Sequence, residues 1–269
     1  MKPIFLLLTA TLLTPLPSEA QEYNVRGVAS LEFIPGYRTK RGTHMTALRI
    51  RLKEGWKTYW RAPGGNGIAP QFQWSGSKNL QGVAYHWPAP NVYLQDGIRT
   101  IGFKDELVLP IEMRAKDTKE PVKIKGKIEF GICSDVCIPA TAAFSASLVQ
   151  NNNGQRSIIQ TALAAGPVGA RSGGVKSARC AIKPIKGGFR ITSVVTLNRQ
   201  VAATALTVLE YPNQDVWADN GMTAVAGNTL TTETDLFAFG DAPLALDRSK
   251  LRLTLLGGKT TIEIRGCKG

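Results

Sequence analysis

The chain has 269 residues, with 33 Lys and Arg against 20 Asp and Glu and a formal net charge of +13. The positive excess is spread over Arg26, Arg38, Lys40, Arg41, Arg49, Arg51, Lys53 and later positions, with no dense basic block. A diffuse charge of this kind reads as a solvated surface or a match to an acidic partner, and it argues against nucleic acid.

The first element in chain order is residues 1 to 20, where Lys2 precedes an apolar run from Ile4 to Leu16 and then Ser18-Glu19-Ala20. Small residues where a signal peptidase cuts make this a cleaved secretory signal. No later stretch approaches the roughly 18 uninterrupted apolar residues of a membrane span. The mature chain is therefore expected to be soluble and exported to the periplasm. In that compartment four cysteines favour disulfide chemistry over a thiolate metal site.

The mature length exceeds what most single cores hold, so two domains are expected. Residues 21–150 form the first and 180–269 the second. Residues 151–179 lie between them with linker composition: Asn151-Asn152-Asn153-Gly154, a short helix candidate from Ile158 to Ala165, then Gly166-Pro167 and Gly173-Gly174. On both sides, short alternating runs are broken by Gly, Pro and Asn, the pattern of β-sandwiches. In the second half these runs are Phe189 to Leu197, Thr204 to Leu209, Met222 to Thr231, Leu251 to Leu256 and Thr260 to Ile264. The expected fold is all-β, two immunoglobulin-like sandwiches joined by a short linker with a brief helix.

Within the first domain, Val122, Ile124, Ile128, Phe130 and Ile132 alternate with Lys123, Lys125, Lys127 and Glu129, the period of a half-buried strand. A second alternation sets Ala142, Phe144, Ala146 and Leu148 against Thr141, Ala143, Ser145 and Ser147. If the two strands pair, Ser134, Asp135 and Val136 form the loop and Cys133 faces Cys137 across the hairpin mouth. Opposed residues lie about 4.5 to 5.5 Å apart at Cα, inside the roughly 4.4 to 6.8 Å a disulfide needs. The bond can open and close without moving the fold, so the pair reads as a redox site. Pro139 and the alternation after it exclude the helix N-terminus that acidifies a thioredoxin-type thiol, and Asp135 disfavours a thiolate further. Such thiols need a docked partner to activate them.

Cys180 and Cys267 differ in character. A bond between them closes a loop of 87 positions, and the chain-entropy relation gives such a crosslink on the order of 4.5 kcal/mol. It reads as a structural staple of the second domain, whereas scrambled pairing would cross-link the two domains.

Residues 55 to 148 carry the stretches Gly55-Trp56-Lys57-Thr58-Tyr59-Trp60-Arg61-Ala62-Pro63-Gly64, Pro70-Gln71-Phe72-Gln73-Trp74-Ser75-Gly76-Ser77, Trp87-Pro88-Ala89-Pro90 and Gly102-Phe103-Lys104-Asp105-Glu106-Leu107-Val108-Leu109-Pro110, followed by the cysteine hairpin. In this order they resemble the amino-terminal periplasmic domain of the DsbD type of thiol:disulfide interchange protein, and more closely its copper-tolerance relatives, the ScsB type. The DsbD type proper has a longer spacer between its cysteines; the three-residue spacer here matches the copper-linked relatives. The second domain matches only in kind, as a further immunoglobulin-like module.

The resemblance implies an electron shuttle acting on thioredoxin-like periplasmic proteins, with Cys137 forming the mixed disulfide and Cys133 resolving it. It also implies a cap over the pair; the corresponding segment is Asn91 to Thr100, with Tyr93 and Leu94 as covering side chains and Gly97 as its point of movement. The chain ends at Gly269 without a membrane domain or a terminal thioredoxin-like domain, so a separate membrane protein is expected to supply electrons.

No cofactor or metal is expected. His44 and His86 pair with no cysteine by spacing, the tryptophans read as packing, and Gly64-Gly65-Asn66-Gly67 reads as a turn because no strand-to-helix setting surrounds it. Two other readings stand beside exchange: a non-catalytic binding or assembly module with permanent disulfides, and a periplasmic copper-handling protein, since thiolates prefer Cu(I).

Overall fold

In the computed structural model of the chain, the described residues are 22–65, 67–95, 97–148, 155–212, 216–219, 221–239 and 245–269. The signal assigned to residues 1–20 and the segment Asn151–Gly154 lie outside them.

The first eleven strands are β1 (Glu22–Val25), β2 (Ala29–Arg38), β3 (His44–Leu52), β4 (Lys57–Tyr59), β5 (Gln71–Gln73), β6 (Leu80–Tyr85), β7 (Asn91–Gln95), β8 (Ile98–Lys104), β9 (Glu106–Ala115), β10 (Val122–Cys133) and β11 (Cys137–Leu148). They make two antiparallel sheets, one in the order β1-β2-β3-β9-β6 and one in the order β11-β10-β4-β8-β7, with β5 also paired to β10. The two close face to face over one core. On β10 the even positions Ile124, Ile128, Phe130 and Ile132 are buried in it while Lys123 and Lys125 stay exposed, as alternation requires. Phe33 of one sheet stacks on Phe144 of the other, with centroids 4.9 Å apart.

Helix α1 (Arg156–Ala164) follows. Its Ile159 is fully buried with Ile34, Tyr37, Met45 and Ala47 on the outer face of β2 and β3, so the helix belongs to the packing of the first sandwich. An isolated helix this short is marginal in water, and tertiary packing of its apolar face supplies the stability.

The second sandwich consists of β12 (Val168–Gly169), β13 (Val175–Ile185), β14 (Gly188–Leu197), β15 (Leu206–Glu210), β16 (Val216–Ala218), β17 (Met222–Ala226), β18 (Thr229–Ala238), β19 (Arg252–Leu256) and β20 (Ile262–Arg265). One sheet runs β12-β20-β19-β15 and the other β13-β14-β18-β16, with β17 on β18. Two details differ from the sequence reading. The strands of this half begin at Val168, inside the segment read as linker. Met222 to Thr231, read as one run, turns at Gly227 (φ 61°) into the β17–β18 hairpin. The alternation continues across the turn, and the period alone hides it.

The sandwiches pack against each other. Leu206 and Leu256 of the second are buried in the core of the first. Arg61 forms a two-pronged ion pair with Glu210 at 2.9 and 3.0 Å and reaches Glu263 at 3.1 Å. All three side chains are largely buried. Among the described residues no helix is long and apolar enough to cross a membrane.

Candidate functional site: a covered hairpin disulfide

The register of β10 on β11 runs unbroken from Val122–Leu148 to Cys133–Cys137. The alternation on both strands fixes it, because a slip of one residue would turn every core side chain to solvent. Cys133 and Cys137 are joined by a disulfide, with Cα atoms 4.2 Å apart. Across the sheet, Cys137, Cys133, Lys57 and Lys104 lie in one row on β11, β10, β4 and β8. The loop Ser134–Val136 turns the chain, with Ser134 N–H donating to Val136 O at 3.2 Å. Asp135 and Val136 are exposed.

The two cysteines differ in exposure. Cys133 is fully buried and Cys137 is exposed. The difference arises from β4 and β5. Both pair with the same edge of β10, β4 beside Ile132–Cys133 and β5 beside Lys127–Glu129. The chain between them, residues 60–70, departs from β10 after β4, stays bonded to β8 through Trp60 N–H to Ile101 O at 3.0 Å and Ile101 N–H to Pro63 O at 3.1 Å, and returns to β10 at β5. On its way back Ile68 lies on Gly131: a Cβ added to Gly131 would stand 2.7 Å from Ile68 Cβ and 2.9 Å from the Tyr59 ring. Gly67 approaches Tyr59 in the same manner, since a Cβ there would stand 3.0 Å from the ring and 2.3 Å from Pro63. Within the excursion Gly67 N–H donates to Gly64 O at 3.2 Å. Gly131→Ala is expected to lower stability by about 1–3 kcal/mol, the usual cost of overpacking, in denaturant unfolding. An unchanged midpoint would mean the excursion does not rest on the strand.

Tyr59 fills the space between excursion and disulfide. It is 1% exposed, and its hydroxyl lies 2.7 Å from Cys133 Sγ and 3.2 Å from Cys137 Sγ. Burial pushes its pKa up, so the phenol keeps its proton. Beside it, Thr58 Oγ1 donates to Gly131 O at 2.9 Å, fastening β4 to β10. Lys57 is 9% exposed.

Of the residues named from sequence, Cys133 with Cys137 and Cys180 with Cys267 are paired as expected. The segment expected to cap the pair, Asn91 to Thr100, belongs to the same sheet as the cysteine hairpin. β7 and β8 form a hairpin around Gly97 (φ 76°). Tyr93 pairs with Thr100, four positions along β8 from Lys104, where the cysteine row crosses. The Lys104 ammonium sits 4.8 Å over the Tyr93 ring. Leu94 is 74% exposed, and neighbouring Arg99 donates to Gly221 O of the second sandwich at 3.1 Å. The side chain that does lie on the disulfide, Tyr59, was read from sequence as packing, and Ile68, which lies on Gly131 beside it, was not singled out. Two glycines spaced to admit them, Gly67 and Gly131, are the only local signal. His86 bonds to Glu112 at 3.1 Å and His44 is buried on β3; neither belongs to the cysteine row. No cluster of three or more His, Cys, Asp and Glu suited to a metal occurs among the described residues.

Residues 30–148 match the family model described as thiol:disulfide interchange protein DsbD, N-terminal. Among curated proteins no relative matches. Among solved structures the chain is similar to the N-terminal periplasmic domain of ScsB from Proteus mirabilis, with a TM-score of 0.70 at 22% identity over 93% of this chain and 98% of that one. At that identity the likeness shows the fold, and it extends through both sandwiches. The match to the DsbD N-terminal family thus spans the first sandwich from β2 to β11, the cysteine hairpin included.

Proposed function

We propose that this protein is a periplasmic thiol:disulfide exchange protein that works through Cys133 and Cys137 on thioredoxin-like partners, with a separate membrane protein as electron donor. The observation that carries the reading is the asymmetry of the disulfide: one cysteine exposed at the hairpin tip, the other buried behind it. The family match over the same residues supports it. A partner thiolate can reach Cys137 Sγ. Attack there forms a bond from the partner's sulfur to Cys137, breaks the Cys133–Cys137 bond and sends its electron pair to Cys133 as a thiolate. The partner's second thiolate then attacks its own sulfur in the mixed disulfide and releases Cys137 as a thiolate. The partner ends as a disulfide, and both cysteines here end reduced by two electrons. Run backwards, the same steps reduce a partner, with Cys137 attacking and Cys133 resolving.

The test is graded reduction in glutathione buffers with mass mapping of alkylated peptides. Cys133 and Cys137 are expected to open at a potential above about −300 mV, within reach of exchange partners, while Cys180–Cys267 stays closed. A potential for the hairpin pair below that range, or release of all four thiols together, would favour permanent disulfides and end the exchange reading.

A further inference from the structure

We propose that Tyr59 is a catalytic residue of the exchange: its hydroxyl donates a hydrogen bond to the Cys133 sulfur as that sulfur becomes a thiolate, and so governs how fast the disulfide opens and closes. The proposal rests on the exchange reading above and adds to it the group that stabilises the buried leaving sulfur.

The need for such a group follows from the burial. When the disulfide opens by attack at Cys137, the negative charge appears on Cys133, which has no exposed surface. Water cannot solvate it there, and burial alone disfavours a thiolate. No helix N-terminus is at hand, because β11 follows the hairpin. The Tyr59 hydroxyl is already in place at 2.7 Å, and it is held there from several sides. The ring is hemmed in by Gly131 and Gly67 at contact distance, and β4 is fixed between β10 and β8. A disulfide sulfur is a weak acceptor, whereas a thiolate accepts a charge-assisted bond about twice as strong as a neutral one. The interaction therefore grows along the reaction, which is the condition for it to speed the step rather than merely bind. The contact to Cys137 at 3.2 Å keeps the hydroxyl between both sulfurs, so in the reverse direction the Cys133 thiolate is held facing the atom it must attack.

The other charged groups around Cys133 are Lys57 across on β4, Lys104 beyond it on β8, Asp135 in the hairpin loop and Glu129 further down β10. Either lysine is a rival source of thiolate stabilisation, and the test separates them from the hydroxyl.

In a Cys137→Ser background only Cys133 of the pair can titrate, and its thiolate is followed by ultraviolet absorbance against pH. Tyr59→Phe removes one oxygen and keeps the ring. It is expected to raise the Cys133 pKa by about one unit, which is a roughly tenfold smaller thiolate fraction at a given pH below it. In the otherwise native protein it should slow opening of the disulfide by dithiothreitol by a similar factor. Ring-fluorinated tyrosine at position 59, a stronger donor of the same shape, should shift both quantities the other way. A Cys133 pKa unmoved by either change overturns the proposal, as does a shift produced by Lys57→Met and absent from Tyr59→Phe. If the pKa shift is present but a thioredoxin-like protein cannot exchange with the native pair, the exchange reading falls and the catalytic role falls with it, leaving a hydrogen bond without a reaction.

Discussion

Cys133→Ser should accumulate a mixed disulfide between Cys137 and a thioredoxin-like protein as the main product on non-reducing gels, and Cys137→Ser should yield little. The physical basis is accessibility joined to connectivity. Cys137 is the exposed cysteine and Cys133 the buried one, so a partner that docks on the hairpin meets Cys137 first. Cys133, paired with it in register across the hairpin mouth, then clears the adduct from within the molecule. Serine at 133 removes that internal route, and only a second collision can resolve the adduct. Its hydroxyl also leaves Tyr59 a hydrogen-bond partner, so the covering side chains keep their places. Trapping through Cys133 in the Cys137→Ser variant would reverse the two roles and show that the excursion opens far enough to bare the inner sulfur.

Replacing Cys180 and Cys267 together by alanine should cost about 4.5 kcal/mol of unfolding free energy, whereas the same treatment of Cys133 and Cys137 should cost about 2 kcal/mol. Both figures follow from the dependence of crosslink entropy on loop size, with separations of 87 and 4 positions. The longer bond also holds a sheet edge. β13 pairs with β14 alone, and the chain around Cys267 returns to it through Cys180 N–H to Lys268 O at 2.7 Å and Lys268 N–H to Ala178 O at 3.1 Å. The disulfide adds a covalent tie to those two bonds and to the anchoring of Gly266 N–H on Leu251 O at 2.7 Å. Urea unfolding followed by tryptophan fluorescence would measure both costs. Equal losses for the two pairs would contradict the assignment of Cys180–Cys267 as the staple.

Elements set by local alternation were legible in the sequence. The β10–β11 hairpin, its three-residue loop and the facing cysteines follow from two runs of period two and a spacing. The sandwich class followed from the rhythm of short runs and breaks. What the sequence hides is contact between segments far apart in it. Tyr59 meets Cys133 across 74 positions, and Arg61 meets Glu210 across 149. Tyr59 has the same aromatic character whether it packs a core or points a hydroxyl at sulfur; the difference is set by Gly131 and Gly67, which admit the ring. The cap on Asn91–Thr100 was what the family resemblance implies; alternation and a central glycine show in the sequence only that β7 and β8 form a hairpin, and not that its tip meets the second sandwich.

The way β4 and β5 share one edge of β10 makes the cover a graft site. Residues 60–70 form an interruption within a single strand line, so both ends stay anchored whatever lies between them. Lengthening such a segment changes its closure entropy by only about 0.6 kcal/mol per doubling. Beyond it, a cleft of about 500 Å³ bounded by Arg61, Pro63, Arg99, Tyr211 and Trp217 gives the segment room to move without breaching either core. What lies over Tyr59 is thereby carried on a segment distinct from the strands of the core, tied to it at Ala62, which packs on that core, and at Pro63, whose O accepts from Ile101 N–H at 3.1 Å. Chimeras that exchange 64–69 while retaining Trp60, the Arg61 clamp, Ala62, Pro63 and Pro70 vary what lies over Tyr59 and keep the ties to the core.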